Sequence, residues 1–249
     1  VRTPLGREFR KAFVPEPGYE FLAADYNQIE LRVIAHLAED PGLIQAFESG
    51  QDIHNATAAS IFDVDPDAVT VEQRSRAKMV SYGLAYGMEA YGLGQRLGVA
   101  TSEASAILEA YFVAFPAVRS FMDEIVQQTK ETGYTETIFG RRRPIPDLVS
   151  SNFRVRQAAE RQAMNAPIQG LAADIFKIAL VAIDRSLTEM EAESRLVLQV
   201  HDEVILEVHP DEQEAIRDMT IDRMRGAAEL RVPLEVNLAT GPTWAQAKA

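Results

Sequence analysis

Residues 195–208 constrain the fold more than any other segment. Two apolar runs, Leu196-Val197-Leu198-Gln199-Val200 and Val204-Ile205-Leu206-Glu207-Val208, flank the polar triplet His201-Asp202-Glu203. Apolar alternation on either side of a short polar break is the pattern of a β-hairpin, with the triplet as its turn. An isolated hairpin is marginal in water, so other strands must join it. Two candidates are Phe21-Leu22-Ala23-Ala24, which ends at Asp25, and residues 232–236. Most of the remainder has helical periodicity: 29–37, 52–62, 72–86, a pair at 102–114 and 116–131, and 211–228. Segment 152–190 reads as helical with one interruption at Pro167 and Gly170. Gly92, Gly94 and Gly98 break the pattern before the helical pair, and 134–138 reads as a short strand. The expected class is α+β: a small antiparallel sheet with flanking helices and a helical insertion over roughly 40–130.

Composition narrows the chemistry. The 249 residues include no cysteine, which excludes disulfides and thiolate metal sites, so a metal here needs Asp, Glu or His. No apolar run approaches the roughly 18–20 residues of a membrane span and no signal-peptide pattern opens the chain, so a cytoplasmic location is expected. The opening Val1-Arg2-Thr3-Pro4-Leu5-Gly6 reads as the middle of a longer protein. A formal charge of −12 argues superficially against a polyanionic partner. The charge is uneven, however. Residues 141–161 carry six arginines against Asp147 and Glu160, whereas residues 189–235 carry thirteen acids against five arginines. A basic face with a polyanionic partner and an ordinary charged helix exterior are both compatible with that asymmetry.

Two features carry candidate chemistry. Asp25 and Asp202 each sit beside apolar β segments. Two carboxylates meeting at a sheet edge repel unless a cation neutralises them, and oxygen ligands favour Mg²⁺ or Mn²⁺ over zinc. Aspartate is also common in turns, and two residues so far apart in sequence need not meet. The second feature is Arg74, Lys78, Tyr82 and Tyr86, spaced every four residues and therefore on one helix face. Two cations followed by two phenols suit a triphosphate with its base and sugar, or an exposed cationic stripe whose tyrosines pack inward.

Taken together these segments resemble the palm and fingers region of family A DNA polymerases, the bacterial DNA polymerase I type. The resemblance is carried by Asp25-Tyr26-Asn27-Gln28-Ile29-Glu30-Leu31-Arg32, by Arg74 through Lys78 to Tyr82-Gly83-Leu84-Ala85-Tyr86-Gly87, and by Val200-His201-Asp202-Glu203. Asp52-Ile53-His54 and Asn165-Ala166-Pro167-Ile168-Gln169-Gly170 add to it. The resemblance implies palm over 1–40 and 136–249 and mostly helical fingers over 41–135. It implies template-directed addition of dNTPs to a primer 3′-hydroxyl with release of pyrophosphate. Two Mg²⁺ ions, with Mn²⁺ a possible substitute, would be held by Asp25, Asp202 and the carbonyl of Tyr26. Arg74, Lys78 and His54 become the phosphate clamp, with Lys78 a proton donor to the leaving pyrophosphate; Gln28, Glu30, Tyr82 and Tyr86 complete the dNTP site. Glu30 resembles the side chain that excludes a ribose 2′-hydroxyl. Glu203 joins the catalytic set and His201 lies near the primer terminus. Arg2, Arg161, Asn165 and Gln169 match residues that contact primer-template DNA.

Departures from the family pattern carry expectations of their own. Asn27 stands where the family usually has Ser. Tyr82 stands where many members have Phe, the variant associated with accepting dideoxynucleotides. Thumb and exonuclease regions fall outside these residues, so an N-terminal portion, on the same parent protein or on a separate chain, is an expected partner. The alternative reading is a fragment that binds DNA and nucleotide and is inactive without a second polypeptide.

Overall fold

The computed structural model describes residues 4–85 and 87–248. Two compact units emerge, one built from Val1–Ile29, Ala173–Glu229 and Leu234–Ala249, the other from Glu30–Ala172 and Leu230–Pro233. The units divide at 29/30 and 172/173, with Leu230–Pro233 in the second.

The first unit is organised around a four-stranded antiparallel sheet in the order β4-β5-β1-β6. The strands are β1 (Glu20–Tyr26), β4 (Arg195–Val200), β5 (Glu203–Val208) and β6 (Val236–Gly241). Short helix α1 (Pro4–Arg10) precedes the sheet, and α10 (Gln213–Arg225) follows the hairpin. Central β1 has Phe21, Leu22, Ala23 and Ala24 all buried, because both sheet faces are covered. On one face Phe21, Ala23 and Ile205 pack with Trp244 and Ala247. On the other the Tyr26 ring meets Phe176 edge-on at 6.2 Å and its hydroxyl donates to the Met224 carbonyl at 2.7 Å.

The second unit is mainly helical: α2 (Ile29–Ala38), α3 (Pro41–Glu48), α4 (Ile53–Phe62), α5 (Val71–Ala85), α6 (Ala90–Leu97), α7 (Thr101–Ala114) and α8 (Pro116–Thr132). A two-stranded ribbon, β2 (Tyr134–Glu136) with β3 (Arg142–Pro144), follows α8. Buried Asp40 locks the start of α3 to the first turn of α8. One carboxylate oxygen accepts from the N–H groups of Gly42 and Leu43 and the other from Ala117. Helix α9 (Phe153–Glu189) runs through the boundary at 172/173.

Several sequence expectations need correction. Helix α9 is continuous through Pro167 and Gly170. Ile168, Leu171 and Ile175 are fully buried around the proline, and that packing outweighs the one backbone hydrogen bond the proline removes. Gly170 is a point of close approach, where a Cβ would lie 2.8 Å from Thr137 Cγ2. By length and composition α9 is also apolar enough to cross a membrane, although Asp174 and Lys177 interrupt any unbroken run; half of the qualifying stretch is buried inside the fold. Helix α6 continues through Gly92 and Gly94, because Leu93 between them is buried and tertiary packing overrides the propensity. Gly98, in the left-handed region, ends it. The last strand begins at Val236 where 232–236 was expected. Pro233 has no N–H for a ladder, and its carbonyl instead accepts from the Arg32 guanidinium. The hairpin turn is His201-Asp202 alone; Glu203 is already paired within β5.

Candidate functional site

The first unit brings the two aspartates together. Register pairs Asp25, near the end of β1, with Glu203 on β5 and with Asn237 on β6. Asp202 immediately precedes Glu203, so the turn delivers it to the same end of the sheet. Strand alternation puts Asp25 and Glu203 on the face that carries Trp244 and sends Tyr26 to the opposite face. The turn is made possible by His201, at φ 58° in the left-handed region, and the Gln199 amide braces it by donating to the His201 carbonyl at 2.9 Å. Gln28, between β1 and α2, is likewise left-handed at φ 56°.

Electrostatics at this sheet end are those of a site short of positive charge. Burial pushes the Asp25 carboxyl above its usual range, and Asp202 and Glu203 push it the same way. The Asn237 amide, donating to Asp25 Oδ1 at 2.9 Å, and the Lys248 ammonium act in the opposite sense. Glu203 is buried with both carboxylate oxygens engaged, accepting from Trp244 Nε1 at 2.8 Å and from Lys248 Nζ at 3.1 Å. Among the described residues no group of three or more His, Cys, Asp or Glu side chains is arranged to hold a metal unaided. The available donors are the carboxylates of Asp25 and Asp202, joined by backbone carbonyl oxygen. Hard oxygens with uncompensated negative charge fit Mg²⁺ or Mn²⁺, provided substrate or water completes the shell. Burial also raises the Tyr26 phenol, whose hydroxyl is spent on the Met224 carbonyl; any contribution of Tyr26 to a metal comes from its backbone.

In the second unit the cationic helix is α5, and its first turns are tied to the start of α4 by Asp52. Asp52 caps α4 by accepting from the N–H groups of His54 and Asn55, and its other oxygen accepts from Arg74 Nε at 3.0 Å and Nη2 at 2.6 Å. Burial alone would raise the Asp52 carboxyl; Arg74 and the cap N–H groups outweigh it and hold it below the usual range. His54 lies buried against Tyr82, ring centroids 5.7 Å apart. Burial lowers its pKa to about 4, helped by Lys78 and Arg74 and opposed by Asp52. His54 is therefore neutral near pH 7, with Nδ1 buried and lacking a hydrogen-bond partner. Lys78 stands exposed one turn beyond Arg74, and Tyr82 is half-buried one turn further. Glu30 lies in the first turn of α2.

Arg161, Asn165 and Gln169 recur every four residues on α9 and share a face. Arg161 pairs with Glu89 at 2.7 Å, and Asn165 Oδ1 is buried without a partner. Arg2 and Tyr86 lie outside the described residues. The sequence reading missed the parts played by Asp52, Asn237, Trp244 and Lys248. Asp52 was visible beside His54, and Trp244 is the chain's one tryptophan, but nothing local marks Asn237 or Lys248.

Comparison with known proteins assigns the fold. DNA polymerase I of Mycobacterium tuberculosis (strain H37Rv) is 50% identical over 245 residues, 98% of this chain and 27% of that protein. DNA polymerase I of Geobacillus stearothermophilus is 50% identical over 249 residues, 100% of this chain and 28% of that protein. The chain thus spans just over a quarter of the length of these relatives. Among solved structures, the POL domain of Pol1 from M. smegmatis, in complex with DNA primer-template and dNTP, superposes with a TM-score of 0.94 at 48% identity, covering 99% of this chain and 44% of that one. The DNA polymerase family A profile matches residues 1–246, and the chain belongs to that family.

Proposed function

We propose that the chain catalyses template-directed DNA synthesis, transferring a nucleotide from a dNTP to a primer 3′-hydroxyl and releasing pyrophosphate. The observation that carries this reading is the register that sets Asp25 opposite Glu203, with Asp202 in the adjoining turn. Asp25, Asp202 and the Tyr26 carbonyl would hold two Mg²⁺ ions, with Mn²⁺ able to replace them. When bound, such ions lower the pKa of the attacking hydroxyl and neutralise charge on the phosphates. The remaining work belongs to side chains that grip and orient. Arg74 and Lys78 bind phosphate oxygens, and Lys78 donates a proton to the leaving pyrophosphate. Neutral His54 offers an N–H rather than a charge. Tyr82, Tyr86 and Gln28 hold the base and sugar, and Glu30 excludes a ribose 2′-hydroxyl by bulk. Arg161, Asn165, Gln169 and Arg2 contact the primer-template duplex through phosphates and minor-groove acceptors common to all base pairs, with His201 near the primer end.

Primer extension with Mg²⁺ and four dNTPs tests the reading. The chain should extend a primer, and Asp25→Asn and Asp202→Ala should each abolish extension while dNTP binding survives. Retained activity in either variant refutes the assignment. Nucleotide binding without extension by the unaltered chain would favour the reading in which a second polypeptide completes the enzyme.

A further inference from the structure

Beyond the two aspartates, the end of the sheet receives one cation from the chain itself. Residues 242–248 fold back across the sheet after β6. The Trp244 N–H donates to the Phe13 carbonyl at 3.1 Å, and the Trp244 ring packs against Phe13 and beneath the Arg10 guanidinium. Gly241 makes the reversal possible, because a Cβ there would lie 2.8 Å from the backbone nitrogen of Ala247. The fold-back brings Lys248 Nζ to 3.1 Å from Glu203 Oε2, on the sheet face that also carries Asp25.

Glu203 lies opposite Asp25 and next to Asp202 in sequence, and a buried carboxylate without partners would turn towards any nearby cation. Glu203 does not need to, since Trp244 takes one oxygen and Lys248 the other. Lys248 is thus placed to do two things. It holds Glu203 out of the ligand set, and its charge offsets part of the negative potential that draws a divalent ion.

We propose that Lys248 is a positioning residue that confines divalent-ion binding to Asp25 and Asp202 by pinning Glu203 in its clasp with Trp244. This rests on the metal reading given above, and it concerns which carboxylates serve and how tightly. A looser, two-carboxylate site leaves coordination positions for phosphate and hydroxyl oxygens; a third carboxylate would fill one.

The test is Mn²⁺ binding by the whole chain without nucleotide, followed by electron paramagnetic resonance. Lys248→Met should bind Mn²⁺ about tenfold more tightly, the effect of removing one unit charge a few ångströms from a divalent ion in a water-like dielectric. Lys248→Arg should restore ordinary affinity. Adding Glu203→Gln to Lys248→Met should cancel the gain, because the freed side chain then brings no charge. A purely structural lysine would lower thermal stability and leave Mn²⁺ affinity unchanged, and that outcome overturns the proposal while sparing the metal reading. Absence of Mn²⁺ binding by the unaltered chain overturns both. If Lys248→Met fails to fold, Lys248→Ala, which likewise removes both the charge and the donor to Glu203, provides the same comparison.

Discussion

His54 couples protonation to stability. Its imidazole is buried beside Tyr82, with Arg74 and Lys78 disfavouring its charged form, and its pKa falls from 6.5 to about 4. The unfolded chain therefore takes up a proton as pH drops through 6.5, while the folded chain resists until pH nears 4. Stability contributed by the neutral imidazole is complete above pH 6.5 and is lost as pH falls towards 4. Over the full window the shift corresponds to about 3 kcal/mol, and going from about pH 7 to about pH 5 should cost about 2 kcal/mol through this residue alone. Urea unfolding of the chain and of His54→Gln at both pH values isolates the effect, since Gln cannot titrate and other groups cancel in the difference. With only four histidines in the chain, NMR can follow the His54 ring directly. A His54 midpoint near 6.5 in the folded protein, or an equal pH decrement in the variant, would refute the reasoning.

Three further outcomes are expected. Asp40→Ala strips the N–H groups of Gly42, Leu43 and Ala117 of their buried acceptor and should cost about 2–3 kcal/mol in urea unfolding; a loss below about 0.5 kcal/mol would show that water replaces the carboxylate. Gly170→Ala drives a methyl to 2.8 Å from Thr137 Cγ2 and should cost about 1–3 kcal/mol, most of it recovered by adding Thr137→Ser, which removes that atom. If the single and double variants are equally unstable, the contact is not the cause. Finally, Tyr82→Phe should raise the preference for dNTP over dideoxynucleotide by about tenfold, the worth of one well-made hydrogen bond; competition assays on a primer-template check it, and an unchanged ratio removes the phenol from that role.

How far the sequence could be read depended on whether the deciding force was local. Strand β1, the hairpin and helices α2, α4, α5, α7 and α8 follow from periodicity, because each buries one face of a regular element. Asp25 and Asp202 were legible as candidates, but their meeting depends on pairing between β1 and β5, which no local pattern encodes. Where the reading failed, a distant contact overrode a local preference. Pro167 stays helical because the residues around it are core, Gly94 lies mid-helix beside buried Leu93, and Pro233 moves the final strand to Val236. Lys248 was invisible for the same reason. A lone lysine after a tryptophan carries no periodic signal, and its significance appears only once the chain has turned back at Gly241.

The position of β1 at the centre of its sheet has a consequence for biosynthesis. Its partner β5 is encoded about 180 residues later, and β6 later still. At ribosomal rates of about 5–20 residues per second, β1 leaves the tunnel about 10–35 s before either neighbour exists to pair with it. Throughout that interval Phe21-Leu22-Ala23-Ala24, fully buried in the finished protein, is an unpaired apolar strand, while the intervening helices can already form from contacts close in sequence. The nascent chain thus carries an aggregation-prone segment early and completes its sheet last, so slow translation between α2 and the hairpin prolongs the hazard.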